Sequence, residues 1–425
     1  MEEIDKIKNG LFLRSLSLAK IVLKTGKGFL GSKKNVDLQE LIKNGLDGHL
    51  EMIVHELGLM KGSLMKAGQM LSLHAGDFLP PDARKILHLL ENQSYYLSFE
   101  TIQKEIPPSW QKTLKLDPKP LAAASIGQVH LAIEKETKKK LALKIQYPGV
   151  QKAIDHDIFA LKFLLKMLNL IPKKLDSDQL FKEIKRMLQQ ETNYEKELEH
   201  ILEFRELCKN IPYLRVINPV EKYCTKKILT TEFIDGHSIR SEEIQSLPQS
   251  KKNLLGKQFL ELYLLEIFKW GKMQTDGHFG NYLIEKNGDN YNWVLLDFGA
   301  TKDIPKGLQK NYQSMIIACA FADEEKLFES VKKVLKLDKL TFEQKEILKE
   351  YGEILSAPFK GGVYNWGQTS LSQDIMRLFP KLYRSFGEGK PGDTFFLDRK
   401  LGGVYRILQE LGAKFDPKKL LEKYL

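Results

Sequence analysis

Cysteine is scarce in this sequence of 425 residues, which contains only Cys208, Cys224 and Cys319. They are widely spaced and odd in number, and no CxxC pair occurs. This scarcity argues against a disulfide framework and gives no indication of a zinc site. The nine histidines form no HExxH pattern either. We therefore expect a cytoplasmic protein rather than a secreted one.

Long apolar runs are also lacking, since no stretch approaches the ~20 residues of a membrane span. The start Met1-Glu2-Glu3 is too acidic for a secretory or mitochondrial leader. Residues 7–34, however, mix leucine and isoleucine with lysine and arginine. A basic amphipathic helix of this kind either lies peripherally on the anionic inner face of a membrane or packs on its own protein. The sequence leaves both alternatives open.

Positive charge exceeds negative charge: 66 Lys and Arg against 55 Asp and Glu give a net charge of +11. This excess favours acidic partners such as nucleotides, nucleic acid or anionic membrane. The lysines are scattered along the chain, which is typical of a solvated surface, so we expect no nucleic-acid partner. The length is sufficient for two lobes, each with its own core.

The period of the apolar residues changes along the chain. Helical spacing dominates over 37–94, and alternation over 129–145 predicts a β-hairpin. Long helices are predicted over 150–171 and 176–209, followed by a single strand over 228–234. A helix over 253–270 and a second hairpin between Tyr282 and Leu296 then follow. This order is typical of a protein-kinase fold, and it predicts a basic segment over 1–36, a helical extension over 37–112, an N-lobe over 113–235 and a helical C-lobe over 236–425.

Two short strings near residue 280 predict phosphoryl-transfer chemistry. Asp276 is followed by Asn281, and Asp297 then opens an Asp-Phe-Gly string. In a kinase-type site one Asp faces the attacking oxygen, while an Asn and a second Asp hold Mg²⁺ on the nucleotide phosphates. The second predicted hairpin separates Asn281 from Asp297, so both side chains are expected at the same end of it. We therefore expect ATP and Mg²⁺ as cofactors.

A strand lysine and the glutamates of a later helix form a second candidate set. Lys144 is flanked by apolar residues on the second strand of the first hairpin, where an ammonium group is costly unless it is paired. In kinases this lysine contacts the α and β phosphates and pairs with a helix glutamate. On one continuous helix, Glu191 and Glu197 would point about 120° apart. Such a helix could serve two lysines, Lys144 and Lys66.

A glycine-rich phosphate loop is missing from its expected place. The residues there are Ala122-Ala123-Ala124-Ser125-Ile126-Gly127, with a single glycine. Alanine excludes the positive-φ conformations that glycine permits. We therefore expect a stiffer loop that offers fewer backbone N–H groups to phosphate than an ordinary kinase does.

These motifs together resemble the UbiB family of atypical kinases, which is associated with ubiquinone and other isoprenoid-lipid metabolism. The similarity covers most of the chain, and KxGQ combined with the alanine-rich loop is highly specific. The motifs that carry it are KxGQ (Lys66, Gly68, Gln69), the alanine-rich loop with the following Gln128-Val129-His130, Lys144, the hinge-like segment from Thr231 to Gly236, Asp276, Asn281, Asp297 and Arg399-Lys400-Leu401.

The resemblance implies roles for the residues of the nucleotide site. Lys144 and Glu197 would form the nucleotide lysine–glutamate pair, and Asp276 would be the catalytic Asp. Asn281 and Asp297 would bind the metal ion. Nucleotide contacts would also come from the loop residues Ala122, Ala123, Ala124 and Ser125 and from the hinge residues Glu232 and Phe233, whose backbone would meet adenine.

The resemblance also implies a regulatory extension. Lys66, Gly68 and Gln69 would belong to it and would cover the place where a protein substrate binds. Glu191 matches the first residue of the family's ExD motif, which tethers the extension. Asn193 stands where the family usually has Asp, so this position can keep a hydrogen bond but gives up the charge.

The implied protein has an α+β, bilobal protein-kinase-like fold with an N-terminal helical extension. Its implied function is an ATP- and Mg²⁺-dependent kinase or ATPase supporting ubiquinone or other isoprenoid-lipid biosynthesis. The implied partners are an isoprenoid or quinone-type lipid, an anionic membrane surface and other biosynthetic enzymes. Two alternatives remain open: a phosphotransferase of the aminoglycoside or choline kinase type, which lacks KxGQ, and a non-enzymatic nucleotide-sensing scaffold. The sequence names neither the phosphate acceptor nor the oligomeric state.

Overall fold

The computed structural model describes residues 2–4, 62–75, 95–167, 170–171, 177–386 and 395–425, together with positions 80, 83 and 87. The basic segment predicted over 7–34 lies outside these residues, as does most of the helical region predicted over 37–94. The chain divides into two compact units. The first unit comprises Met1–Leu198 and Asn218–Phe233, and the second comprises Glu199–Ile217 and Ile234–Leu425.

The first unit is built on an antiparallel sheet of four strands in the order β3-β4-β5-β7. Strands β4 and β5 form the hairpin that alternation predicted, and Lys144 lies opposite Val129 and Leu229 on its two neighbours. A short parallel pair, β1 and β2, accompanies this sheet. The strands are β1 (Glu2–Ile4), β2 (Tyr95–Leu97), β3 (Leu114–Ala123), β4 (Gly127–Glu134), β5 (Lys140–Gln146) and β7 (Ile228–Glu232).

Six of the helices that the structure describes by their full bounds begin in the first unit. They are α1 (Ser63–Ala75), α2 (Phe99–Gln103), α3 (Pro108–Thr113), α4 (Val150–Met167), α5 (Ser177–Glu191) and α6 (Tyr194–Cys208). Helices α1, α4 and α5 share one apolar core, in which Leu64, Leu161 and Leu188 are fully buried. The helix that carries KxGQ is therefore held mainly by apolar burial against α4 and α5.

The single helix predicted over 176–209 is wrong, because the chain breaks it between α5 and α6. At the break, the side chains of Gln146 and Gln151 each donate to the Thr192 carbonyl at 2.7 Å. Asn193 then begins the next helix, since its Oδ1 accepts the Lys196 N–H at 3.1 Å. An N-cap needs a side-chain oxygen but no full charge, so asparagine fulfils this local role as well as aspartate does.

Among its described residues, the second unit contains three small sheets. Strands β9 and β10 form the second predicted hairpin, with Leu295 opposite Tyr282, and β6 pairs with β10 in parallel. The strands are β6 (Leu214–Val216), β8 (Lys272–Gln274), β9 (Tyr282–Asn287), β10 (Asn290–Leu295), β11 (Thr301–Asp303), β12 (Tyr364–Asn365) and β13 (Lys414–Phe415).

Helices form most of the second unit. They are α7 (Glu242–Gln245), α8 (Gln249–Leu265), α9 (Lys306–Ala320), α10 (Glu324–Leu335), α11 (Phe342–Ser356), α12 (Leu371–Phe386), α13 (Phe395–Leu411) and α14 (Pro417–Leu421). Helix α8 continues into a π-helical turn over Glu266–Trp270, which ends at Gly271 with φ of 63°. A left-handed residue at this position suits glycine, and the turn leads directly into β8. None of the described helices is long and apolar enough to cross a membrane.

Candidate functional site

Lys144 and Glu197 form a close ion pair in the first unit. The Lys144 ammonium lies 2.7 and 3.0 Å from the two Glu197 carboxylate oxygens. The Glu197 side chain is 1% exposed, whereas the Lys144 side chain is 20% exposed. The Tyr194 ring centroid lies 5.1 Å from the same ammonium, on the first turn of α6. The carboxylate is thus buried beneath a lysine that keeps access to solvent.

The sheet face around Lys144 is apolar and half-buried. In a strand every second residue lies on the same face, so Ala142 shares the face of Lys144, and Val129 lies beside it on β4. These positions are less buried than Leu141 and Leu143 on the opposite face. Ala142 is not among the residues that the sequence assigned to the nucleotide site, although the alternation that revealed the strands places it on the same face as Lys144.

The alanine-rich loop closes without any left-handed residue, since no positive φ occurs between 122 and 127. The Ala124 N–H donates to the Gly127 carbonyl at 2.8 Å, and the buried Ile126 side chain packs in the core of the unit. Gly127 has no room for a side chain, because a Cβ there would lie 2.4 Å from the Ile145 carbonyl oxygen. This glycine is required by close strand packing rather than by its φ angle.

Gln128 and His130, which follow the loop, take part in internal structure. The Gln128 side chain bonds both the N–H and the carbonyl of Leu97, at 2.9 and 3.1 Å. Its Nε2 also lies 2.8 Å from His130 Nε2, while His130 Nδ1 lies 2.8 Å from the Asp117 carbonyl. Burial lowers the pKa of His130. This part of the motif therefore joins β2 to the sheet and keeps the His130 ring in a buried hydrogen-bond network.

Lys66 and Glu191 form another ion pair of the first unit. Their charged atoms are 2.9 Å apart, and the side chains are 20% and 16% exposed. Lys66, Gly68 and Gln69 all lie on α1, where Gly68 is buried and Gln69 is half-buried. Glu191 is the last residue of α5 and Glu197 lies on α6. The two lysines therefore pair with glutamates on separate helices, so the expected 120° separation of Glu191 and Glu197 on one helix is wrong.

The hinge positions are already engaged through their backbone N–H groups. The Glu232 N–H donates to the Asn218 carbonyl at 2.8 Å, and the Phe233 N–H donates to the Lys140 carbonyl at 3.0 Å. The Glu232 carboxylate in turn accepts the Asn218 N–H at 3.0 Å. Backbone contact to adenine from these two residues would therefore use their carbonyl oxygens.

The second unit places Asn281 and Asp297 at the same end of the β9–β10 hairpin. The Leu296 N–H donates to the Asn281 carbonyl at 3.0 Å, so the residue before Asp297 is hydrogen-bonded directly to Asn281. Asn281 Nδ2 donates to the Asp276 carbonyl at 3.0 Å. This bond fixes the orientation of the amide and leaves Oδ1 as the atom that could meet a cation.

Asp297 is held by the turn that follows it. Its Oδ1 accepts the Gly299 N–H at 2.9 Å. Phe298 between them is fully buried against Phe204, with ring centroids 5.0 Å apart, and its carbonyl lies 3.2 Å from His200 Nδ1. The Asp-Phe-Gly string is therefore anchored by its aromatic residue, while Asp297 stays half-buried.

The oxygen ligands of this unit fit a magnesium ion better than a transition metal. Within the described residues no group of three or more His, Cys, Asp or Glu side chains could hold a metal. Mg²⁺ needs no such cage, because it commonly binds one or two carboxylates together with water and nucleotide phosphates. One carboxylate and one carboxamide, as in Asp297 and Asn281, are a suitable partial set.

Comparison with known sequences decides the family. The ABC1 atypical kinase-like domain matches residues 92–331, more than half of the chain. The chain belongs to the ABC1 atypical kinase-like family. The resemblance to UbiB kinases is thus confirmed, and the protein is an enzyme of the atypical kinase class.

Curated members of the ABC1 family are similar over most of the chain. The rat protein "Atypical kinase COQ8B, mitochondrial" is 31% identical over 377 residues, covering 86% of this chain and 70% of the relative. The yeast protein "Atypical kinase COQ8, mitochondrial" is 29% identical and covers 89% of this chain and 76% of the relative. A Dictyostelium discoideum protein, "Probable serine/threonine-protein kinase abkA", is 29% identical over 97% of this chain and 78% of the relative.

The fold comparison agrees with this family. A structure of Rv3197 from Mycobacterium tuberculosis, solved as a complex with erythromycin, superposes with a TM-score of 0.60 over 92% of this chain and 98% of the other. Its sequence identity of 21% supports a common fold and nothing more. The predicted α+β, kinase-like fold is confirmed.

Proposed function

We propose that this ABC1-family chain is an ATP- and Mg²⁺-dependent kinase or ATPase that supports ubiquinone or other isoprenoid-lipid biosynthesis at the membrane. The observation that carries the nucleotide part is the ion pair between Lys144, on a central strand of the antiparallel sheet, and Glu197, on helix α6. A buried carboxylate that fixes a partly exposed ammonium is suited to holding a phosphate group. The apolar face of Ala142 and Val129 is suited to a planar base.

The second unit would supply the catalytic and metal-binding groups. Asp276 would accept a proton from, or orient, the attacking hydroxyl or water. Asn281 and Asp297 would hold Mg²⁺, which when bound would neutralise charge on the phosphate oxygens. The hydrogen bond from Asn281 Nδ2 to the Asp276 carbonyl favours this assignment, because it holds the proposed metal-binding amide next to the proposed catalytic Asp.

The alanine-rich loop and the extension would restrict which acceptor is used. A loop without left-handed residues has less freedom to wrap phosphates than a glycine-rich loop. The pairing of Lys66 with Glu191 holds the KxGQ helix at the ExD motif. Both features favour ATPase activity or small-molecule phosphorylation over protein phosphorylation, and the acceptor class is a lipid or water.

The site of action we propose is the inner face of a membrane, reached peripherally. The net charge of +11 suits an anionic surface. The COQ8 relatives are described as mitochondrial, which is compatible with an isoprenoid-quinone partner and with other biosynthetic enzymes as neighbours.

Turnover and lipid profiling test this proposal. ATP hydrolysis should be measured for the wild type and for Asp276→Asn, with and without liposomes containing anionic lipid. We expect liposomes to stimulate the wild type and Asp276→Asn to abolish the stimulated rate. Quinone and polar-lipid profiles of a deletion strain should be restored by the wild type but not by Asp276→Asn. Binding of ATP without any stimulated hydrolysis would instead favour a nucleotide-sensing scaffold.

A further inference from the structure

A buried lysine lies on helix α13, near the C-terminal end of the second unit. The Lys400 and Glu266 side chains are 1% and 0% exposed, and their charged atoms are 3.2 Å apart. A buried ammonium is costly unless several acceptors surround it. Lys400 also donates to the Gln274 carbonyl at 2.8 Å, to Tyr282 Oη at 3.1 Å and to Gln274 Oε1 at 3.2 Å.

These acceptors lie at both ends of the segment that carries Asp276 and Asn281. Gln274 precedes the segment and Tyr282 follows it. The two are also bonded to each other, since the Tyr282 hydroxyl donates to Gln274 Oε1 at 2.7 Å. Gln274 Nε2 then donates to the Asp276 carbonyl at 2.9 Å. One ammonium group therefore holds the two ends together, and Gln274 extends the network to Asp276 itself.

The same helix contacts the middle of this segment one turn later. A Cβ at Gly403 would lie 2.8 Å from Gly277 Cα and 3.0 Å from the Gly277 carbonyl oxygen. A Cβ at Gly277 would likewise lie 2.9 Å from Gly403 Cα. Backbone atoms cannot rotate away as a flexible side chain can, so both glycines are needed for this approach. The neighbouring Gly402 has nothing within 4 Å of its own Cβ position.

We propose that α13 positions the segment between Gln274 and Tyr282, called the catalytic segment because it carries Asp276 and Asn281. Lys400 holds the two ends of this segment together, and the close contact of Gly403 with Gly277 sets the distance between the segment and α13. Lys400 and Gly403 are positioning residues, because they act through Gln274, Tyr282 and Gly277. The inference rests on the proposed role of Asp276. Both residues lie C-terminal to residues 92–331, which are the part of the chain that matches the ABC1 domain.

A purely stabilising role explains the arrangement less well. Buried ion pairs add little net stability compared with apolar residues of similar volume, and their better-attested use is to fix one geometry among several. Here each partner of the ammonium is attached to the catalytic segment or to the turn before it. The polar atoms are therefore placed where alignment matters.

Gly403→Ala and Gly402→Ala form a matched pair of variants on one helix. Both add the same methyl group and the same helix propensity, but only the first meets the Gly277 backbone. We expect Gly403→Ala to lower kcat for ATP hydrolysis on the order of 10- to 100-fold, with KM for ATP changed less than about twofold. Gly402→Ala should retain wild-type values. Equal kinetics in the two variants would overturn the proposal.

A second variant keeps the test decisive if Gly403→Ala folds poorly. Lys400→Met combined with Glu266→Gln removes both buried charges, so no unpaired charge remains to unfold the protein. We expect it to keep its thermal transition but to lose kcat, again with KM for ATP nearly unchanged. Wild-type kcat in this folded double variant would contradict the positioning role of Lys400. Full activity in Asp276→Asn would instead refute the proposed function and not the positioning role alone.

Discussion

The Lys144–Glu197 pair of the first unit and the Lys400–Glu266 pair of the second unit differ in exposure. Lys144 is 20% exposed above the buried Glu197, whereas Lys400 and Glu266 are 1% and 0% exposed. Lys144 contacts a carboxylate and an aromatic ring. Lys400 contacts a carboxylate, a carboxamide, a hydroxyl and a backbone carbonyl.

This difference separates a lysine that can meet a ligand from one that cannot. An ammonium with solvent access can add a phosphate oxygen to its partners, while a fully enclosed one can only hold the protein's own groups. Sequence motifs alone assign importance to both residues. Exposure and partner identity give them different roles: Lys144 would contact the nucleotide, and Lys400 would orient the segment that acts on it.

The largest expected effect is on stability when Lys400 loses its charge. In Lys400→Met the Glu266 carboxylate stays buried without its ammonium, so the free energy of unfolding should fall by about 3–5 kcal/mol. Urea denaturation measures this change. The double variant with Glu266→Gln should recover most of it. A single variant as stable as the wild type would show that the buried pair is not a coupled unit.

At Lys144 we expect a smaller loss of stability than at Lys400, together with a loss of ATP affinity. Lys144→Met should lower the free energy of unfolding by about 1–3 kcal/mol, because it leaves the buried Glu197 carboxylate without its ammonium partner. The loss is smaller than at Lys400 because Lys144 is partly solvated. ATP affinity should fall about 10- to 100-fold, as expected for one lost charge-assisted contact. Lys115→Met, at an exposed position of β3, is the control. Calorimetric titration that finds equal ATP affinity in Lys144→Met and Lys115→Met would remove the nucleotide role.

The smallest effect is a pH dependence in the first unit. The folded-state pKa of His130 is lowered from its ordinary value of 6.5 by burial. Below pH 6.5 the unfolded chain therefore binds more protons, and stability should fall as the pH decreases towards the folded-state pKa. The slope can reach about 1.4 kcal/mol per pH unit for one proton. His130 faces Asp117, Gln128 and the Phe99 ring.

Two histidine variants isolate this contribution. His130→Gln should flatten the dependence of unfolding free energy on pH between 7 and 5, because the titrating group is gone. His156→Gln, at an exposed position of α4, is the matched control for the loss of a histidine. An unchanged slope in His130→Gln would assign the acid sensitivity to other groups.

The locally encoded features could be predicted from sequence. Alternation of apolar residues located both hairpins, because the period of two is set by neighbours in the chain. The break between α5 and α6 was missed, since the residues on both sides favour helix and the interruption depends on Gln146 and Gln151 bonding to Thr192. Those glutamines are 46 and 41 residues away in sequence, so no local pattern shows them.

The hydrogen bonds of Lys400 could be predicted even less from local sequence patterns. Its bonds to Gln274 and Tyr282 span 126 and 118 residues. The available signal was a lysine beside leucine and two consecutive glycines within an otherwise helical segment. Glycine pairs are unfavourable in helices, so a close backbone contact could have been suspected there, but its partner Gly277 could not.

Magnesium-dependent ATP binding is the sharpest test of the proposed metal site at Asp297 and Asn281. Calorimetric titration should compare the wild type with Asp297→Asn, with Mg²⁺ present and with Mg²⁺ removed by a chelator. We expect Mg²⁺ to strengthen ATP binding to the wild type at least about tenfold, which corresponds to about 1.4 kcal/mol. Asp297→Asn should lose this gain while binding free ATP as the wild type does. Equal magnesium dependence in both proteins would contradict the assignment of Asp297 as a metal ligand.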